Sequence, residues 1–265
     1  MLDSVLGKAP FFLLVYARCF AMLVTLPLFS MRGVSRRVKL VLSFYMAFLM
    51  FPAVDFSVYD QIVTLDQGFS VEYLFLILGE ALIGIIIGFY LQIIFAAFST
   101  AGQFFAFQMG LSAASAYDAL SQVENPLMGQ YLNLIGMLIF MQNKWFQKIF
   151  MAGLMGSFKA MNAFTIVTDN EPIARFMLKG LSILFADALI IALPIMGTLL
   201  LVSVATGLLS KAAPQMNLLS EGFPVMILLA FYLILNMLSP MSYCFIRSFN
   251  KGLSDIRNLF MTFVH

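Results

Sequence analysis

Three ionisable side chains stand inside otherwise apolar runs: Arg18, Glu80 and Asp187. At the centre of a membrane helix each costs about 2.5–3.5 kcal/mol on insertion scales. Two kinds of chemistry would meet that cost. The charges could line a path for ions or polar cargo, or they could pair between helices, Arg18 with Glu80 or with Asp187. The residues alone leave both open. Catalytic chemistry finds little to work with. The single histidine is the last residue, His265, which removes every motif built on paired histidines. No G-x-x-x-x-G-K-[ST] phosphate loop is present. "GLSA" at 110–113 lacks the second glycine of a nucleophile elbow and has no histidine to act as base. No enzyme activity, metal or cofactor is expected.

The elements that carry these charges are oily. Of 265 residues 62% are hydrophobic and only 11% are charged, about half the share of a soluble domain. That composition is one of an integral membrane protein. A net charge of +2 gives no footing for a nucleic-acid partner. Cys19 and Cys244 both sit in apolar runs and read as buried thiols. Arg18 interrupts the first apolar run and no small-residue cleavage pattern follows, so a retained first segment is expected.

Apolar runs cover roughly 9–29, 38–54, 73–98, 127–142, 176–209 and 224–246. A crossing helix needs about 20 such residues, so the second and fourth are marginal and the third and fifth are long. Residues 145–163 carry Lys148 and Lys159 and read as an amphipathic or re-entrant helix. "RGVSRRVK" at 32–39 holds four bases and no acid, whereas 55–72 holds four acids and no base. The first loop is expected in the cytoplasm and the second outside. Six simple crossings cannot also place Lys144, Lys148, Lys159, Arg247, Lys251 and Arg257 on the cytoplasmic side. A section over 127–160 that enters and returns would remove the conflict. "GIIIG" at 84–88 permits close approach of two helix backbones.

Two polar islands stand out. In 99–126, "STAGQFFAFQMGLSAASAYDALSQVENP", small residues dominate after the aromatic run Phe104, Phe105, Phe107. Lipid cannot surround non-helical backbone, so such a segment packs inside protein, faces a cavity, or runs as an ordinary exposed loop. The other is 208–224, "LLSKAAPQMNLLSEGFP", with Lys211, Gln215, Asn217 and Glu221 between the helix breakers Pro214, Gly222 and Pro224.

Three stretches together are familiar: Arg18 with Pro27 and "VSRRVKLVLS" (34–43); "GEALIGIIIGF" (79–89) running into "AGQFFAFQMGLSAASAYD" (101–118); and "GLLSKAAPQMNLLSEGFP" (207–224). With them the chain resembles the FliR family of flagellar biosynthesis proteins, whose type III secretion relatives are termed SctT. The likeness runs nearly the full length. It departs at Ala119, Ser35 and Glu221, where the family usually has Pro, often Pro, and an apolar residue.

The resemblance implies an all-α, polytopic membrane-type chain. A FliP-like helical part over 1–165 would include a plug at 106–122, and 166–265 would hold a FliQ-like helical hairpin and a C-terminal tail. Such subunits join FliP, FliQ and FlhB in an inner-membrane export gate of the flagellar basal body, through which unfolded flagellar proteins pass. On that basis Phe104, Phe105, Phe107, Gln108, Met109, Gly110, Ser112 and Asp118 are expected in plug and constriction. Lys211, Pro214, Gln215, Asn217, Glu221, Gly222 and Pro224 are expected at a helix-turn rim facing partners. A small-solute secondary transporter and a purely structural assembly subunit are the competing readings.

Overall fold

The computed structural model describes residues 8–30, 34–59, 70–110, 127–168, 170–212 and 222–263. Every regular element among them is helical. In chain order these are α1 (Ala9–Thr25), α2 (Pro27–Ser30), α3 (Arg36–Met50), a 3-10 turn (Phe51–Ala53), α4 (Val71–Gln108), α5 (Leu127–Gln142), α6 (Trp145–Lys148), a π turn (Ile149–Leu154), α7 (Met155–Ala160), α8 (Thr165–Thr168), α9 (Asn170–Ala212) and α10 (Phe223–Met261).

Local chemistry sets the ends. Leu26 is extended because Pro27 disfavours helical backbone before it, which separates α1 from α2. Ser35 caps α3, its hydroxyl accepting from the Val38 amide at 3.4 Å. The Ser70 hydroxyl does the same for the Tyr73 amide at the start of α4. Pro194 and Pro240 lie inside α9 and α10 without ending them. Prolines are tolerated in apolar helices, and one turn beyond Pro194 the Thr198 hydroxyl donates back to the Pro194 carbonyl.

The residues fall into two compact units that alternate along the chain. The first draws on Met1–Ile93, Asn143–Gly180 and Phe249–His265; the second on Ile94–Gln142 and Leu181–Ser248. In the first unit Val15, Cys19, Met22 and Leu26 recur at helical spacing and are buried, as are Ile83, Ile87 and Leu91 of α4. The "GIIIG" stretch lets these two helices touch. A methyl on Gly84 would lie 2.3 Å from the Arg18 carbonyl oxygen, and one on Gly88 would lie 1.9 Å from the Thr25 hydroxyl. Phe12 meets Phe44 and Phe51 edge-on, and Trp145 stacks on Phe249 with centroids 4.1 Å apart.

The second unit packs around aromatic rings. Phe245 of α10 meets Phe98 at 4.6 Å and Phe95 at 5.3 Å, and Phe95 meets Phe140. Gly136 gives Phe245 its place, and Gly102 lies against the backbone of Gly129.

Of residues 145–163, the stretch 145–160 forms an amphipathic helix with one irregularity, and Met161 is extended beyond it. Trp145, Ile149, Leu154 and Ser157 are buried while Lys148 and Lys159 are exposed. The step of five from Ile149 to Leu154 does not suit a 3.6-residue period. The π turn widens the helix there and returns Leu154 and Ser157 to the buried face. Among the described residues three helices are long and apolar enough to cross a membrane: Val71–Gln108, Asn170–Ala212 and Pro224–Met261.

The glycines give a direct test. Gly84→Ala should lower stability by about 1–3 kcal/mol, because α1 and α4 must separate or shift. Gly197→Ala, with nothing within 4 Å of the added methyl, should be neutral or stabilising. Thermal unfolding of the two variants in detergent compares them. Equal melting temperatures would show that Gly84 is not a contact glycine.

Candidate functional site: a buried charge network and the end of α4

Arg18 and Glu80 are each only 1% exposed. They form a two-pronged pair: Arg18 Nε donates to Glu80 Oε2 at 2.6 Å, and Nη2 donates to Oε1 at 2.9 Å. Nη2 also donates to the Met161 carbonyl at 2.9 Å, and Nη1 donates to the Ser157 hydroxyl at 3.1 Å. The guanidinium lies 4.1 Å from the centre of the Phe158 ring. Cation–π contact and planar bidentate geometry both suit arginine rather than lysine.

The surroundings explain how the two meet. Gly79 lets α4 approach Ala163, since a methyl there would be 2.7 Å from the Ala163 side chain. The next residue, Glu80, then faces Arg18. The π turn brings Ser157 to the same place, its hydroxyl also donating to the Leu154 carbonyl at 2.6 Å. Sequence inspection missed Tyr59. Its hydroxyl donates to Glu80 Oε1 at 2.5 Å and accepts from the Ala163 amide at 2.8 Å. Burial pushes the Tyr59 phenol up from its ordinary range, and the Glu80 charge and hydrogen bond add to the shift. A pocket of about 380 Å³ adjoins the network, and Asp55, Lys159 and Asn162 complete its polar lining. Its formal charges cancel: Arg18 and Lys159 against Asp55 and Glu80. That balance selects for no ionic ligand.

Asp187 has a separate partner. It accepts a hydrogen bond from the Ser248 hydroxyl, which joins α9 to α10 within the second unit. A second cluster in the first unit also escaped sequence inspection. Asp255 accepts from Tyr90 at 3.2 Å and pairs with Lys179 at 3.1 Å, while Tyr90 stacks on Phe176 over Gly180.

The end of α4 carries most of the candidate constriction. Phe105 and Met109 are fully buried, one helical turn apart, whereas Phe107 is 74% exposed and Phe104 and Gln108 are half-buried. Gly110 ends the helix with φ 78°, and the Met109 and Gly110 amides donate to the Phe105 and Phe107 carbonyls. Only glycine takes that backbone without strain. Ser112 and Asp118 lie outside the described residues, as do Pro214, Gln215, Asn217 and Glu221. Of the candidate rim, Lys211 is exposed on the last turn of α9, Gly222 is half-buried, and Pro224 is exposed in the first turn of α10.

Removing one partner of a buried ion pair leaves an uncompensated charge, at a cost of about 3–5 kcal/mol, whereas an apolar replacement of both is far milder. Glu80→Ala should therefore destabilise the chain more than the double change Arg18→Leu, Glu80→Leu. Thermal unfolding measures both, and a double variant no better than the single one would refute the pairing argument. Tyr59 supplies a pH arm. Its raised value keeps the folded phenol protonated while the unfolded phenol ionises near pH 10. Its contribution is complete below that pH and falls above it. Tyr59→Phe should flatten the alkaline loss of stability.

The sequence matches the family model "Bacterial export proteins, family 1" over residues 9–252. It is similar to the flagellar biosynthetic protein FliR of Bacillus subtilis, at 29% identity over 97% of each chain. The FliR of Buchnera aphidicola subsp. Schizaphis graminum is 33% identical over 93% of this chain and 91% of its own length. The "Surface presentation of antigens protein SpaR" of Shigella sonnei is 27% identical over 74% of this chain and 76% of its own. Its match of 9–252 to the export-protein model, with FliR relatives aligned along almost their whole length, shows that the chain belongs to the FliR family of bacterial export proteins.

Proposed function

We propose that this chain is a subunit of the flagellar type III export gate, forming with FliP- and FliQ-type partners the inner-membrane channel for unfolded flagellar proteins, with an FlhB-type protein against it. One observation carries the reading: the match to FliR relatives along nearly the whole chain. The bare surface of α9 supports an assembly. Large apolar side chains are exposed from Leu181 to Leu209, a distance of about 42 Å at the helical rise. A hydrocarbon core is about 30 Å thick. At a tilt of 40°, the upper end of the usual range, its slanted path is about 39 Å. Lipid alone leaves part of that surface in water, and sister subunits would cover it.

In this reading 1–165 corresponds to the FliP-like part and 166–265 to the FliQ-like hairpin with its tail. The segment 106–122 is the plug, and Phe104, Phe107 and Gln108 belong to the constriction. Phe105 and Met109 anchor the helix that presents them. Lys211, Gly222 and Pro224 stand on either side of the rim turn.

Co-expression with FliP- and FliQ-type neighbours should yield a stable complex in mild detergent. Recovery of the chain alone, with flagella still formed when it is deleted, would sink the proposal. With the complex assembled, deleting 110–114 should raise ion leakage across the cell membrane. Leakage at background would refute the plug but leave the subunit assignment standing.

A further inference from the structure

α3 is covered on one side only. Ser43, Met46, Ala47 and Met50 are buried, and Phe44 meets Phe12 and Tyr16 of α1. Val38, Val41, Tyr45 and Leu49 recur at three- and four-residue spacing and form a stripe on the other side. All four are exposed, Val41 by 69% and Tyr45 by 58%. The stripe is about 16 Å long, close to half the thickness of a hydrocarbon core.

Cations gather at one end of this stripe. Arg36 and Arg37 are exposed in the first turn, and Lys39 is half-buried beside them. Among the described residues no carboxylate pairs with any of the three. Positive charge at a helix N-terminus opposes the macrodipole, so these residues do not serve the stability of α3. Their grouping calls for an outside layer of negative charge.

We infer that this face of α3 is a lipid-docking surface, with Val38, Val41, Tyr45 and Leu49 among acyl chains and Arg36, Arg37 and Lys39 on anionic phospholipid headgroups. The order of the two features decides between lipid and a protein helix. A leaflet is layered, charged at its surface and apolar for about 15 Å below it. The stripe repeats that layering, bases at one end and no charge in the remainder. Basic side chains near a membrane surface are attracted to anionic lipid, each by enough to be measured.

The test uses the full chain. Val41 is replaced by the photo-crosslinking residue benzoylphenylalanine in producing cells, and the irradiated product is weighed. A phospholipid adduct is expected. A protein adduct in its place overturns the proposal and assigns the face to a neighbouring subunit. Separately, the chain is reconstituted in nanodiscs of equal parts phosphatidylcholine and phosphatidylglycerol, and the lipid it retains in detergent is analysed. Phosphatidylglycerol should be enriched. The triple change Arg36→Gln, Arg37→Gln, Lys39→Gln should reduce that enrichment by about tenfold or more, while Arg36→Lys with Arg37→Lys keeps it. Equal retention by the triple variant and the parent also overturns the proposal.

Discussion

A guanidinium and a carboxylate leave water together only when nearly all of their polar groups find partners, and for Arg18 and Glu80 that condition fixes four separate stretches of chain. Arg18 comes from α1 and Glu80 from α4; Tyr59 follows the 3-10 turn, and Ser157, Met161 and Ala163 belong to the end of α7 and the residues after it. Each has its own local cause. Gly84 and Gly88 let α1 lie on α4, Gly79 admits Ala163, and the π turn aims Ser157. Loss of any of these would leave a polar atom of the pair without its partner. The network therefore couples backbone features that are far apart in sequence.

The same pair bears on the choice between an ion path and a structural lock. A charge in a path must exchange its partners for water or for the passing ion. Arg18 makes four hydrogen bonds and lies on the Phe158 ring. Both carboxylate oxygens of Glu80 are engaged, one of them twice. Asp187 holds Ser248 between α9 and α10. Groups held in this way stiffen the helices that carry them, and the geometry of Arg18 and Glu80 is that of a lock.

Much of this was legible in the residues. Each apolar run became a helix, and "GIIIG" became the contact of α1 with α4. Arg18 and Glu80 announced themselves as charges in oily segments. Their pairing was not legible, because 62 residues separate them and nothing local chooses Glu80 over Asp187. Tyr59 was missed for a related reason: a tyrosine beside an acidic loop looks ordinary until the fold brings Ala163 to its hydroxyl. Helix lengths were underread. Hydropathy reports surroundings, whereas the backbone continues as long as nothing breaks it. α10 thus runs on through Arg247, Lys251 and Asp255, well past its apolar run. The π turn at Ile149–Leu154 was not legible, because Phe150, Met151 and Ala152 are apolar too and the sequence shows no gap there.

The last turn of α4 is held on one face and bare on another. Residues 105 and 109 share a face, and both are buried; residue 107 points elsewhere and is bare. Burial of Phe105 and Met109 ties this last turn to its own unit. Gly110 follows at once, in a backbone conformation that side chains resist. Gly110 therefore ends the helix without strain in the residues before it. In the constriction proposed for this segment, a seal would draw on that combination: a fixed base, a soft apolar group such as Phe107 exposed beside it, and a glycine at the helix end. Bases in the middle of this turn would hold an acidic segment, and acids a basic one. The stretch from Phe104 to Gly110 contains neither, which would suit the constriction proposed for this segment.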